Sequence, residues 1–363
     1  MSRKLLSLSA TAILMGGTAL AEAPSVAVDI APVHSLVARV MDGVGVPSLI
    51  VQPGASPHEY SLRPSEAAAL QDADLVFWIG EDLTPWMEDA VETLATNATV
   101  TTLLEADGTK LLDFRKGALF ESHEHGDHGD EEHAADDDHD EHDHEEVKAD
   151  DHDHDHDDHG HEEVKAEGHG DHDHGDEDHA AHDDHDDHAG HDHGEHDPHA
   201  WLSPANASTW LNVIAAQLSV ADPDNAGTYF ANAAAARAEM EALSAEVATT
   251  LAPVRGGSFI VFHDAYQYFE SDFDFPASGA ISVSDASDPS PARIAEVQSR
   301  ITEEGIDCVL AEPQFNPGLV ATVLDGTEAG TGVIDPLGAA LEPGAALYPQ
   351  LIRNMANTLA ECL

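Results

Sequence analysis

Histidine is the residue type that most clearly offers chemistry in this chain. Of its 26 histidines, 22 lie within residues 121–197, and the other four are His34, His58, His199 and His263. Neutral imidazole nitrogen is a preferred ligand of Zn²⁺, and folding can bring distant histidines together into one site. The four isolated histidines are therefore the first candidates for a metal site.

Position in the chain separates these four residues. His58 and His263 each follow a predicted strand, and His199 lies where ordered sequence resumes after residues 121–197. Ligands of open α/β sheets bind beyond the carboxyl ends of strands, so these three histidines can converge. Asp335 also follows a predicted strand and is a candidate carboxylate ligand. A single histidine is more often structural than ligating, and no HExxH-like spacing fixes two ligands on one helix.

Strands that alternate with helices must position these residues. Short apolar runs predict strands at 26–30, 48–51, 75–79, 258–262, 308–311 and 332–334. Helical patterns lie at 34–41, 64–72, 224–251, 291–304, 317 onward and 348–360. Such alternation is typical of βαβ units with parallel sheets, so an α/β fold is predicted.

The long helical pattern at about 224–251 divides the chain. At 1.5 Å per residue it would span on the order of 40 Å, enough to cross a domain. We predict an N-terminal α/β lobe (22–222), a rigid linking helix (223–252) and a C-terminal α/β lobe (253–363), each lobe with a mostly parallel sheet. A single large doubly wound domain is the alternative.

Charge is concentrated in one segment. The chain has 14 Lys+Arg against 71 Asp+Glu and a net charge of −57, which argues against nucleic-acid binding. Residues 121–197 hold 35 of those acids and almost no apolar side chains. Such a segment cannot offset the entropy of ordering, so we predict a disordered His/Asp-rich insert.

The first residues predict export. Arg3 and Lys4 precede an apolar stretch at 5–20, and Ala19-Leu20-Ala21 provides small residues for signal-peptide cleavage. We predict a signal peptide at 1–21 and a soluble, periplasmic mature protein, the alternative being a buried N-terminal helix. The two cysteines, Cys308 and Cys362, could persist as a disulfide in an oxidising compartment or remain buried thiols.

Five motifs carry a resemblance to a known family. They are PGASPHEYSLRPS at 53–65, PHAWLSP at 198–204, FHDAY at 262–266, AEPQF at 311–315 and DPLG at 335–338. In order and content they resemble the zinc-binding periplasmic components of bacterial ABC importers, the ZnuA type. The resemblance covers nearly the whole mature chain, and the family's acidic histidine-rich loop falls where residues 121–197 lie.

The resemblance implies a metal site in a cleft between two lobes. Carried over by motif, His58, His199 and His263 are the metal ligands. Manganese-binding relatives usually have a carboxylate at the third position, so a histidine there favours zinc. The resemblance also implies a disulfide between Cys308 and Cys362.

The fourth ligand is less defined. Some zinc-binding members place a glutamate just before the first ligating histidine, but Pro57 stands there and Glu59 follows His58. Asp335 or a water molecule is the better candidate. His34 begins a predicted helix and is expected to be structural or to lie at the cleft edge.

The predicted function is capture of periplasmic Zn²⁺ and its delivery to the membrane permease of an ABC importer by a monomeric, non-enzymatic protein. One cleft site and additional weak sites in residues 121–197 are expected. The alternatives are a metallohydrolase, a metal storage or buffering protein, and a manganese-binding relative. Zinc binding by the insert should weaken below about pH 6, where imidazoles protonate.

Overall fold

The computed structural model describes residues 23–115, 120, 196–282 and 289–363, which belong to one compact unit. The predicted signal peptide (1–21) and the predicted insert up to residue 195 lie outside these described residues. No helix of the described chain has the length and apolar character needed to cross a bilayer.

The N-terminal half contains a four-stranded parallel sheet with strand order β2-β1-β3-β4. Its strands are β1 (Val26–Val28), β2 (Ser48–Leu49), β3 (Leu75–Trp78) and β4 (Thr99–Thr102). Every residue of β1 and β3 is buried, as expected for central strands covered on both faces.

The C-terminal half repeats this topology in a second parallel sheet, with strand order β6-β5-β7-β8. Its strands are β5 (Phe259–His263), β6 (Gly279–Ser282), β7 (Cys308–Ala311) and β8 (Gly330–Val333). The chain moves outward from β5 to β6 and then crosses back to β7. The gap between the ends of β5 and β7 is therefore the switch point where ligands bind in such sheets.

Nine α-helices lie in the described ranges. They are α1 (Ala31–Val40), α2 (Pro64–Gln71), α3 (Pro85–Leu94), α4 (Pro204–Ala221), α5 (Ala226–Leu251), α6 (Gln267–Phe273), α7 (Pro291–Glu304), α8 (Pro317–Leu324) and α9 (Leu347–Cys362). Capping residues set where α4 begins. The Ser203 hydroxyl accepts a hydrogen bond from the Asn206 amide, and Pro204 occupies the first turn. At the end of α7, Gly305 takes the left-handed conformation (φ 66°) that stops a helix.

The apolar core has a continuous central part and two outer parts. The central cluster joins side chains from both sheets, including Phe77 and Phe259, with Trp210 of α4, Leu243 of α5 and Tyr348 of α9. The outer face of each sheet has its own smaller cluster under its helices. Both halves thus share one interior, and α5 packs within it against α1, α4 and α9.

The predicted fold class is confirmed: two parallel sheets with helices form an α/β structure. The predicted long helix begins at Ala226 after a 3₁₀ turn at Pro223–Asn225. The structure adds five elements that the sequence analysis did not assign: α3, β4, α4, α6 and β6. The predicted lobe boundaries stay a prediction.

Two details differ from the sequence expectations. His263 is the last residue of β5 rather than the residue after it, because its backbone pairs with Ser282. His196 and Asp197, placed at the end of the predicted insert, belong to the folded unit: His196 bridges to Asp113, and Asp197 is buried.

Cys308 and Cys362 form a disulfide that ties β7 to the end of α9.

Candidate metal centre

His58, His199 and His263 line one cavity of about 20 Å³. His199 and His263 are each 5% exposed, and His58 is half-buried. The structure therefore brings together all three histidines that the sequence analysis proposed as ligands. Trp201 and Phe315 supply apolar walls to the same cavity.

His263 stands at the switch point of the C-terminal sheet. It ends β5, and Glu312 follows the last residue of the neighbouring strand β7. Glu312 Oε1 lies 2.8 Å from His263 Nδ1 and accepts from the His263 amide at 3.2 Å. Sheet topology therefore places a carboxylate directly behind this imidazole.

His199 is held in a similar way by a residue of its own loop. Asp197 Oδ1 lies 2.7 Å from His199 Nδ1 and accepts from the His199 amide at 2.9 Å. Tyr268 of α6 donates its hydroxyl to the Asp197 carbonyl at 2.8 Å. The C-terminal half thus fixes the segment that carries His199.

His58 lies in a loop that α3 supports. The Trp86 indole donates to the Pro57 carbonyl at 2.7 Å, and the His58 amide donates to Ser56 Oγ at 3.2 Å. Tyr60 packs on Trp86 with ring centroids 5.6 Å apart. These contacts fix the backbone on both sides of His58.

Ring separations fit a tetrahedral ion. The centroids are 5.6 Å apart for His58 and His199, and 5.3 Å apart for His199 and His263. With Zn–N distances of about 2.0–2.1 Å and a tetrahedral angle, two ligating rings stand roughly 5 Å apart. The described residues contain no group of three or more His, Cys, Asp or Glu that could hold a metal as they stand.

The two carboxylates also favour the tautomer that a metal needs. A neutral imidazole that donates from Nδ1 keeps its lone pair on Nε2. Asp197 and Glu312 each lie at Nδ1 of their histidine, which favours the tautomer of His199 and of His263 that carries its lone pair on Nε2. Such carboxylate–histidine pairs are the usual second layer of protein zinc sites.

Acidic groups dominate the surroundings of the cavity. Burial raises the pKa of Asp197 to about 7, although the His199 amide and Arg115 lower it. Burial also raises the pKa values of Asp264 and Glu270, against the lowering effect of Arg115. Arg115 forms ion pairs with both of these carboxylates. One guanidinium thus offsets part of the cost of burying these carboxylates.

Asp335 does not line this cavity. Its carboxylate accepts from the backbone amides of Leu337 (3.0 Å), Gly338 (2.9 Å) and Ala339 (2.6 Å), and from Gln314 Nε2 (3.2 Å). It therefore shapes the turn after β8, whose Leu337 reaches the cavity wall.

Two other residues considered in the sequence lie away from the cavity lining. Glu59 is exposed. His34 is buried in α1 with Nε2 3.1 Å from the Pro47 carbonyl, and burial lowers its pKa. The structural interpretation of His34 agrees with this position.

The sequence analysis assigned no role to Asp197, Glu312 or Gln314. Glu312 and Gln314 stood within the quoted motif at 311–315, and Asp197 stood two residues before a proposed ligand. A carboxylate one residue past a predicted central strand was the signal that could have identified Glu312.

Comparison with known proteins identifies the family that this chain matches. The model of the ZnuA family, described as "Zinc-uptake complex component A periplasmic", matches residues 26–362. The high-affinity zinc uptake system protein ZnuA of Brucella abortus (strain 2308) is 44% identical over 357 residues, covering 98% of this chain and 97% of that protein. The protein of the same name from Paracoccus denitrificans (strain Pd 1222) is 43% identical over 344 residues, covering 94% and 93%.

Solved structures share the fold. A crystal structure of ZnuA aligns with a TM-score of 0.65 at 20% identity, covering 94% of this chain and 99% of that one. A zinc-bound deletion mutant of ZnuA aligns with a TM-score of 0.64 at 21% identity, covering 94% and 98%.

Proposed function

Since the chain belongs to the ZnuA family of periplasmic zinc-uptake components, we propose that His58, His199 and His263 bind one Zn²⁺ for delivery to an ABC permease. The family predicted from the five motifs is confirmed, and zinc capture for ABC uptake is the function that the relatives' names support. The ligand set, the single cleft site and the monomeric state are our proposals.

One observation carries the proposal. Three imidazoles from separate parts of the chain line a cavity of about 20 Å³, and carboxylates orient two of them. Three nitrogen donors suit zinc better than manganese, which prefers oxygen ligands. The histidine at position 263 therefore favours zinc over the manganese-binding alternative.

Cavity size argues for cargo binding and against hydrolysis. A volume of about 20 Å³ corresponds to roughly one water molecule. Pockets for small-molecule ligands usually measure about 300–1,000 Å³. The cavity matches an ion with its water rather than an organic substrate, so we propose a binding protein rather than a metallohydrolase.

Residues 121–197 receive an auxiliary role in this proposal. Their histidines would hold additional Zn²⁺ weakly, because each site must first order a flexible chain. Storage as the main function would require the tight site to lie in this segment rather than in the cleft. We further propose export to the periplasm by the signal peptide at 1–21.

Growth of the native host under zinc limitation tests the proposed function. The chromosomal gene is replaced by one that encodes His263→Ala, with Glu59→Gln as the matched control. We expect the His263→Ala strain to stop growing when a chelator depletes zinc, and added zinc but not manganese to restore growth. Growth of this strain equal to the control under chelation would contradict the proposal.

A further inference from the structure

Gln314 lines the three-histidine cavity, yet the proposed zinc site gives it no role. Its Nε2 donates to Asp335 Oδ1 at 3.2 Å. Its Oε1 is buried and accepts no hydrogen bond from the described residues. A buried acceptor without a donor is costly, so this atom requires an explanation.

The orientation of the amide follows from its partner. Three backbone amides hold the Asp335 carboxylate in place. A carboxylate only accepts hydrogen bonds, so the donating NH₂ of Gln314 must face Asp335 and the carbonyl oxygen must point elsewhere. Asp335 therefore fixes where Gln314 Oε1 lies.

Two other buried atoms near the cavity lack standard hydrogen bonds, Glu312 Oε2 and the Tyr266 hydroxyl. The pKa of Tyr266 is raised first by burial and then by Glu312, so these two groups lie close to each other. A small rotation of the Tyr266 hydroxyl toward Glu312 would satisfy both. For Gln314 Oε1 the described residues place no donor within hydrogen-bond distance, and Gln314 lines the cavity, so a donor bound in the cavity would satisfy this oxygen.

We propose that Gln314 Oε1 faces the fourth coordination position of the bound Zn²⁺ and accepts a hydrogen bond from the water that fills it. This inference rests on the proposed zinc capture. Three histidines leave one position of a tetrahedral ion for water, and a water on Zn²⁺ is a strengthened donor. Asp335 then serves the site as the residue that positions Gln314, without being a ligand.

Two substitutions in the full chain test this role, Gln314→Leu and Gln314→Glu. Zinc affinity is measured against a chelator that outcompetes weak sites, and one equivalent of Co²⁺ reports coordination through its visible absorption. Gln314→Leu should lower the zinc association constant about tenfold and change the Co²⁺ spectrum, because the acceptor is lost. Gln314→Glu keeps an oxygen there and should bind zinc within threefold of the unsubstituted chain, or more tightly.

A purely structural role predicts the opposite order. Gln314→Glu loses the donor to Asp335 and adds like-charge repulsion, so it would bind zinc no better than Gln314→Leu. That order, or an unchanged affinity and Co²⁺ spectrum in Gln314→Leu, would overturn the inference. If Gln314→Leu fails to fold, a zinc association constant of Gln314→Glu more than threefold below that of the unsubstituted chain overturns it. Failure of the unsubstituted chain to bind zinc would instead refute the proposed function.

Discussion

At the scale of single residues, the proposed zinc binding rests on three imidazoles, and each should be needed. We expect His58→Ala, His199→Ala and His263→Ala each to lower zinc affinity at least tenfold, about 1.4 kcal/mol, because each removes one of three nitrogen donors. Calorimetry on a protein with residues 121–195 replaced by a short Gly-Ser linker measures the effect. This deletion retains Asp197, which holds His199.

Two further substitutions calibrate that series. His34→Ala should change zinc affinity little, since His34 lies outside the cavity lining. Asp335→Ala should cost less than loss of a histidine, because its carboxylate holds a turn and Gln314. An unchanged affinity in any one of the three histidine variants would remove that residue from the site.

Glu312 should matter although it is not proposed as a ligand. Glu312→Gln keeps an acceptor for His263 but removes the negative charge, and loss of such supporting groups typically lowers metal affinity 10–100-fold. We expect about a tenfold loss in a competition titration. Glu59→Gln is the matched control beside His58, and its affinity should equal that of the unsubstituted chain. Equal affinities in the two variants would contradict the role of Glu312.

Asp29 gives a prediction about pH. It lies between the ends of β1 and β3, where Ile30 and Ile79 amides each donate to its carboxylate at 2.7 Å. Burial outweighs these bonds and raises its pKa from 3.8 to about 7. Between these values the folded chain holds a proton that the unfolded chain has released, so the unfolding free energy falls as pH rises.

Replacing Asp29 by asparagine isolates its contribution to the pH dependence of the unfolding free energy. From pH 5 to pH 8 the unfolding free energy of Asp29→Asn should fall about 2–3 kcal/mol less than that of the unsubstituted chain, whatever its absolute stability. Urea denaturation at both pH values measures it, with the exposed Asp107→Asn as control. Identical pH slopes for Asp29→Asn and the unsubstituted chain would refute the raised pKa.

The sequence could indicate which histidines come together where position alone was informative, while their role as ligands stays a prediction. The three histidines stand out because they follow strands or the insert, and the structure brings them together. The roles of Asp197, Glu312 and Gln314 depend on which strands are neighbours. The order β6-β5-β7-β8, which sets β7 beside β5, cannot be read from a period in the sequence.

At the scale of elements, continuous apolar runs identified β3 and β7, because central strands are buried on both faces. The edge strand β4 is largely exposed and gave no such signal. Helix α4 was missed although Ser203 and Pro204 mark its start. Its buried face is defined by packing against α5 rather than by strong amphipathicity.

Helix α5 should limit the movement that zinc causes. It runs unbroken from Ala226 to Leu251, and Arg39 of α1 and Arg353 of α9 pair with its Glu239 and Glu246. Bending it would require breaking its hydrogen-bond ladder. Small-angle scattering of the insert-deleted protein should therefore show a fall in radius of gyration of less than about 1 Å on zinc binding.

We expect zinc to order the loops around the site rather than to draw the two halves of the protein together. Hydrogen exchange should show protection gained around residues 52–62 and 198–204, the loops that carry His58 and His199. A fall in the radius of gyration of more than about 1 Å would contradict the role given to α5.

At the scale of the whole molecule, the two sheets share one continuous apolar core. The cavity lies where segments of both halves meet: His58 follows β2 of one sheet and His263 ends β5 of the other. Zinc binding would therefore connect histidines that the shared core already holds in place. We propose that the metal site depends on this folded unit and not on residues 121–195.

Zinc content per chain after exhaustive dialysis shows whether the tight site lies in the folded unit. It is measured for the full chain, for the form without residues 121–195, and for that form with His58, His199 and His263 all replaced by alanine. We predict one retained zinc in the insert-deleted form and none in the triple-alanine form. Loss of the retained zinc with the insert, or its retention in the triple-alanine form, would contradict a three-histidine site in the folded unit.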